Sequence, residues 1–203
     1  SHSQNNKTVS FIFSNKKHTL LTRFRKKTVV IDPGHGGRDP GSIGKNNNYE
    51  KKYTLDIAIR LKKLLKEKGI KVILCRTGDS NPSLNKRTLV ANRNKADVFL
   101  SLHINSFRKS YANGTETYYY KYQDKKLAYY IHKELIKDLK RKDNGLKKAR
   151  LFVLRHSKMP ACLIEPLFIT NKDEFKLVNK SYYRQKIANS ISNGVFNYLE
   201  QQN

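Results

Sequence analysis

Acidic residues are scarce in this sequence: 16 Asp and Glu stand against 42 Lys and Arg in 203 residues, a formal net charge of +26. Cysteine is nearly absent, and at this length a single domain buries roughly 70% of the surface its unfolded chain exposes, so no disulfide framework is needed. The two cysteines, Cys75 and Cys162, fall within the apolar runs Val72-Ile73-Leu74-Cys75 and Ala161-Cys162-Leu163-Ile164 and read as core thiols. No stretch approaches the roughly 18 consecutive apolar residues of a spanning helix, which excludes an integral membrane protein of that kind and leaves peripheral binding open. No internal repeat and no signal peptide are present; Ser1-His2-Ser3 reads as a remnant of expression, so an export leader upstream of Gln4 is expected to be missing. The hydrophobic share, 37%, is low, yet 12 Tyr and 9 Phe are too many for a disordered basic tail.

Charge of this size attracts polyanions. The cations are spread through every segment, including Arg60, Lys62, Lys63, Lys66 and Lys68 along one expected helix, and do not form a stripe. That distribution argues against nucleic acid as a partner. It leaves a solvated Lys-rich surface, or electrostatic association with an anionic wall or membrane surface.

Residues 1–27 carry seven Lys or Arg and no acid, and read as a basic linker. Val9, Phe11 and Phe13 alternate with polar residues there, the pattern of a strand remnant or an added edge strand. From Thr28 onward, short β-branched runs alternate with helical periods. This predicts one α/β domain over 28–203, a twisted, mainly parallel sheet with helices on both faces. Strands are expected at Val29–Ile31, Val72–Cys75, Val98–Leu102, Tyr118–Tyr120 and around Leu163–Ile164. Helices are expected at Leu55–Lys68, with Thr54 as N-cap and Gly69 as C-cap, and at Leu84–Lys95, Leu127–Lys140 and Ile187–Leu199.

In open α/β sheets, ligands bind beyond the carboxyl ends of the parallel strands. Three expected strands end in polar residues: Asp32-Pro33-Gly34-His35-Gly36-Gly37, Ser101-Leu102-His103-Ile104-Asn105 and Leu163-Ile164-Glu165-Pro166. Taken singly, each candidate has an ordinary explanation. His35 can be a loop histidine, Glu50 can favour a helix N-terminus, and Glu165 can pair with a neighbouring lysine. Together, His35, Glu50 and His103 supply two imidazoles and a carboxylate, the donor set of a catalytic zinc ion with one position open. Glu165 is then placed to move a proton between water and a leaving nitrogen. Their spacing is unlike that of structural zinc sites, and no His-Glu-x-x-His helix is present.

The ordered residues Val30-Ile31-Asp32-Pro33-Gly34-His35-Gly36-Gly37, Asp39-Pro40-Gly41, Glu50-Lys51, Arg87 with Ala91-Asn92, Ser101-Leu102-His103-Ile104-Asn105, Met159-Pro160 and Ile164-Glu165 resemble the zinc-dependent N-acetylmuramoyl-L-alanine amidases of bacterial cell-wall remodelling, the group that includes the cell-division amidases. The resemblance implies that His35, Glu50 and His103 hold one zinc ion and that Glu165 is catalytic. It implies cleavage of the amide between N-acetylmuramic acid and L-alanine of peptidoglycan, in the periplasm or cell envelope, during wall remodelling, daughter-cell separation or turnover. Asn105 and Arg155 are candidates for touching substrate or bracing the site, and His132 and His156 are expected at the surface. Where the family usually has Gly before the Phe, this chain has Glu165-Pro166-Leu167-Phe168, which bears on the aim of Glu165 and the width of the groove. The division amidases carry a blocking helix between the second His and the catalytic Glu. Here that interval is expected to hold a strand, a helix and a further strand, so the domain should be open without an activator. The same constellation would also serve a zinc peptidase, or a wall-binding module that has lost turnover.

Overall fold

The computed structural model describes residues 27–202; the expected linker and its alternating strand lie outside the described residues apart from Lys27. Six strands form one sheet: β1 (Thr28–Pro33), β4 (Lys71–Leu74), β5 (Val98–Leu102), β6 (Thr115–Tyr119), β7 (Asp143–Lys148) and β8 (Ala161–Glu165), in the order β4-β1-β5-β8-β6-β7. All neighbours run parallel except β6 and β8. A short ribbon of β2 (Ile43–Gly44) and β3 (Asn48–Tyr49) precedes the first helix.

Alternation along the central strands sends side chains to two layers. Val29, Ile31, Val98, Leu100, Leu102, Cys162 and Ile164 face a large core covered by α1 (Glu50–Glu67), α3 (Tyr122–Leu139) and α6 (Ser181–Glu200). Val30, Phe99, Ala161 and Leu163 face a smaller core closed by α2 (Leu84–Arg93) and α4 (Phe152–His156). Central strands apolar on both faces are what a parallel sheet between helices requires. A fifth helix in chain order, α5 (Lys172–Val178), links β8 to α6. The α/β expectation is met, and both cysteines are free, Cys162 buried and Cys75 half-buried.

Three of the four expected helices start earlier than their apolar period, whereas α2 starts at Leu84 as expected. Helix α1 begins at Glu50, with Tyr49 in the N-cap position, and Thr54 is not a cap. Its hydroxyl is buried and donates to the Gly34 carbonyl at 2.9 Å. Helices α3 and α6 likewise start at Tyr122 and Ser181, with first turns that bury only Asp124 and Tyr183 respectively and so continue no apolar period. Strand β7, with the sequence DNGLKK, was not expected; it is a polar edge strand, the kind that charge protects from further pairing.

A buried ion pair fastens α2 to β1. Arg87 Nη1 donates to Asp32 Oδ1 at 2.6 Å, and both side chains are almost wholly buried. Asp32 also accepts from Ser101 Oγ on β5. Removing one partner of such a pair leaves a buried charge uncompensated, at a cost of about 3–5 kcal/mol. Arg87→Met should therefore lower the midpoint of urea unfolding by that equivalent with an unchanged slope; a loss below about 1 kcal/mol would show that Asp32 is rehydrated or protonated cheaply.

Candidate metal centre

The parallel strands β1, β5 and β8 end at one edge of the sheet, and the chain turns there with its candidate residues. His35 lies two residues beyond β1, His103 one residue beyond β5, and Glu165 is the last residue of β8. Backbone bonds keep the edge in register: Gly34 N–H donates to Leu102 O at 2.9 Å and His103 N–H to Ile164 O at 3.0 Å. Helix α1 sets Glu50, its first residue, over the same edge.

The side chains of His35, Glu50 and His103 converge, each offering one donor atom within 4.8 Å of the others. Glu50 is 2% exposed. Its Oε2 lies 3.2 Å from His35 Nε2 and accepts from the Ser42 N–H at 2.8 Å. Its Oε1 lies 3.1 Å from His103 Nδ1 and accepts from the Ile104 N–H at 2.9 Å. Burial works against ionisation of Glu50, but hydrogen bonds and charge from His103 and His35 prevail and hold its carboxyl well below the usual range. The two rings meet edge to face with centroids 4.8 Å apart. Two imidazoles and an ionised carboxylate with a shared focus can hold a divalent cation, and the rings keep about a fifth of their side-chain surface open to solvent.

Asp39 orients His35. The ring Nδ1–H donates to Asp39 Oδ2 at 2.8 Å, while Asp39 Oδ1 accepts from the Gly41 N–H at 3.0 Å. Burial tends to raise the Asp39 carboxyl, but the bonds from Gly41 and His35 lower it. A carboxylate on the outer nitrogen fixes the tautomer and aims Nε2 inward. Burial by itself would make His35 less basic, and bonds to Glu50 and Asp39 more than offset this. Two glycines make the approach possible. A Cβ on Gly41, whose φ is +67°, would stand 2.6 Å from His35 Cδ2 and 2.7 Å from Glu50 Oε2; one on Gly34 would stand 2.4 Å from His103 Cε1.

Two buried arginines hold the loop that carries His35. Arg87 donates to the carbonyls of Pro33 (2.8 Å) and His35 (2.9 Å), and Arg76 to those of Pro33 (3.0 Å) and Gly34 (2.9 Å). Neither Asp39 nor Arg76 stood out as a supporting residue in the sequence. Asp39 lies within the Asp39-Pro40-Gly41 run that follows His35, whereas Arg76 follows an ordinary strand with no local signal.

Glu165 stands beside the centre on β8. Its Oε2 is shut off from solvent and has no hydrogen-bond partner. Burial, followed by the charges of Glu50 and Glu116, pushes its carboxyl well above the usual range. Glu116, its register partner on β6, accepts at Oε2 from Asn105 Nδ2 (2.8 Å) and the Tyr118 hydroxyl (2.5 Å). Asn105 thus braces the site through Glu116, while Arg155 is exposed on α4 and lines neither the cavity of His35 and Leu151 nor that of Glu116 and Lys147. Leu167 is fully buried in the large core, so its bulk is directed inward and not into the groove. His156 is exposed as expected. His132 is not at the surface: it is 7% exposed, between Thr117 Oγ1 at 3.1 Å and Asp143 Oδ1 at 2.8 Å, because the unexpected strand β7 covers it.

Cavities flank the centre. One, about 400 Å³, is lined by His35 and His103 together with Leu84, Leu151, Phe152 and Val153. The other, about 470 Å³, lies over β6 and β7 and includes Asn105, Glu116, Tyr118, Lys142, Asn144 and Lys147. Between His103 and Glu165 the chain builds β6, α3, β7 and α4, all part of the sheet and its cover.

The family profile described as N-acetylmuramoyl-L-alanine amidase matches residues 29–197. The chain is 40% identical over 176 residues to the N-acetylmuramoyl-L-alanine amidase LytC of Bacillus subtilis (strain 168), covering 85% of this chain and 35% of that protein, so it spans about a third of LytC. It is 40% identical over 172 residues to the sporulation-specific N-acetylmuramoyl-L-alanine amidase of the same organism, covering 82% of this chain and 66% of that protein. Among solved structures, the catalytic domain of CwlV, an N-acetylmuramoyl-L-alanine amidase from Bacillus (Paenibacillus) polymyxa var. colistinus, superposes with a TM-score of 0.84 at 36% identity, covering 86% of this chain and 98% of that one. Fold, the sequence match over nearly all the described residues and the solved relative agree, and the chain belongs to the N-acetylmuramoyl-L-alanine amidase family.

Proposed function

We propose that this protein is a zinc-dependent N-acetylmuramoyl-L-alanine amidase that hydrolyses the amide between the lactyl group of N-acetylmuramic acid and L-alanine of the peptidoglycan stem. The observation that carries this reading is the focus of His35, Glu50 and His103 at the strand edge, beside a carboxylate oxygen of Glu165 that is buried and unpartnered. The donor set fits zinc: two neutral imidazoles and one carboxylate leave a fourth position for water or substrate. When bound, zinc supplies a Lewis acid that polarises the carbonyl and brings the pKa of water toward about 7.

The remaining work belongs to the chain. His35, Glu50 and His103 would hold the ion, with Asp39 keeping the His35 ring in the tautomer that points Nε2 inward. Glu165 takes a proton from the attacking water and returns it to the alanine nitrogen as that nitrogen leaves. The raised proton affinity of Glu165 makes it a stronger base toward water than an ordinary carboxylate and lets it keep that proton until the leaving nitrogen takes it. The partly open rings of His35 and His103 support a site that works without a separate activator. Activity of this kind belongs outside the cytoplasmic membrane, in the cell envelope, at wall remodelling, cell separation or turnover. The charge of +26 suits association with an anionic wall or membrane surface.

Purified peptidoglycan incubated with zinc-loaded protein should release soluble stem peptides beginning with L-alanine, detected by mass spectrometry and absent from a chelated sample. Cuts inside the stem would make the enzyme a peptidase, and no product despite bound zinc would make it a binding module. His35→Ala and His103→Ala should lose metal and turnover together. Glu165→Gln should keep its zinc, read by metal analysis, and lose about 10²–10⁴-fold in turnover; unchanged turnover would remove Glu165 from the mechanism. Co-sedimentation with purified sacculi should weaken between low and high salt, and a salt-insensitive pellet would show that the charge is incidental.

A further inference from the structure

The sheet order gives the site a direction. From the candidate metal ligands, the neighbouring strands run β5 with His103, β8 with Glu165, β6 with Glu116 and Tyr118, and β7 with Lys147. An amide has an acyl side and an amine side, and the group that protonates the leaving nitrogen must stand on the amine side. In the reading above that group is Glu165, so the acyl side lies over the cavity of His35, Leu151 and Phe152, and the amine side lies over the cleft of β6 and β7.

We infer that the cleft over β6 and β7 is the stem-peptide subsite, and that Lys142 and Lys147 make it selective for stems with a free carboxylate about three residues from the scissile amide. This rests on the amidase reading for its orientation. The charge pattern of the cleft matches such a peptide. Its inner end holds Glu116, the register partner of Glu165, whose charge suits the amine that hydrolysis liberates; its outer end holds two ammonium groups and the amides of Asn113 and Asn144.

Glu116 does not cancel the outer charge. Its Oε2 is committed to Asn105 and Tyr118, and its Oε1 faces Lys147 Nζ across 3.4 Å with Lys147 still 43% exposed, so that ammonium retains donors for a ligand. Lys142 is exposed, and none of the ion pairs among the described residues includes it. It is set at the rim by its carbonyl, which accepts from the Thr115 N–H at 2.8 Å. The reach follows from sheet spacing. Strand β7 lies two spacings from β8, about 10 Å, and an extended peptide covers that span in about three residues.

Two N-acetylmuramoyl peptides that differ only in carrying a carboxylate or a carboxamide at the second or third residue provide the test. The unmodified protein should favour the carboxylate by about tenfold in kcat/KM, the effect of a charge-assisted hydrogen bond. Lys142→Met and Lys147→Met should each shrink the ratio, and together bring it near one. A ratio of one in the unmodified protein, or a ratio that survives both substitutions, overturns the inference.

Calorimetric binding of the matching free peptides to the Glu165→Gln protein gives a reading that needs no turnover. Lysine-dependent preference for the carboxylate peptide without cleavage of either substrate would sustain the cleft and remove the amidase reading. Cleavage without discrimination would do the reverse. Neither cleavage nor peptide binding would remove both.

Discussion

A buried carboxylate organises this site. Glu50 has given up nearly all contact with water, and an unpaired charge in that position would be prohibitive. The chain answers with two backbone N–H groups, from Ser42 and Ile104, and with two imidazoles on either side. Those partners come from the segment after β1 and the end of β5, and Glu50 itself from the start of α1. Satisfying one carboxylate therefore brings three separated segments together, and the two imidazoles among its partners make up with it a set that could hold a cation.

The surrounding structure serves to keep that arrangement rigid. Arg87 and Arg76 hold the carbonyls of Pro33, Gly34 and His35, and the Arg87–Asp32 pair anchors the loop to the strand beneath it. Asp39 then fixes one ring, and the missing Cβ atoms of Gly34 and Gly41 leave room for the histidines to close in. A parallel sheet makes this economical, because several strand ends meet at one edge while their bodies are locked between two helical layers.

The antiparallel strand β6 gives the edge its polarity. It places Glu116 directly across from Glu165 and carries the surface onward to β7, so an apolar hollow lies on one side of the centre and a cleft of amides and ammonium groups on the other. In the proposed reaction a substrate with a sugar acid at one end and a peptide at the other would meet two chemically different walls, with Glu165 on the strand between the ligand-bearing β5 and β6.

Much of this was legible in the order of residues. Apolar periodicity marked the central strands and the buried faces of the helices, because those patterns follow from local geometry, and polar residues just after β1, β5 and β8 marked the edge where His35, His103 and Glu165 lie. What was not legible depended on partners distant in sequence. Thr54 looked like a helix cap until the Gly34 carbonyl claimed its hydroxyl; His132 looked exposed until a polar edge strand covered it; Leu167 looked like an obstruction until the large core took its side chain. Asp39, Arg76 and Glu116 gained their roles in the same way. Local patterning marks the central strands, the four longer helices and the ligand-type side chains the chain can offer, and it misses the polar strand β7 and the short helices α4 and α5. Which of these side chains meet is set by folding, because burial and pairing depend on neighbours brought together from distant parts of the chain.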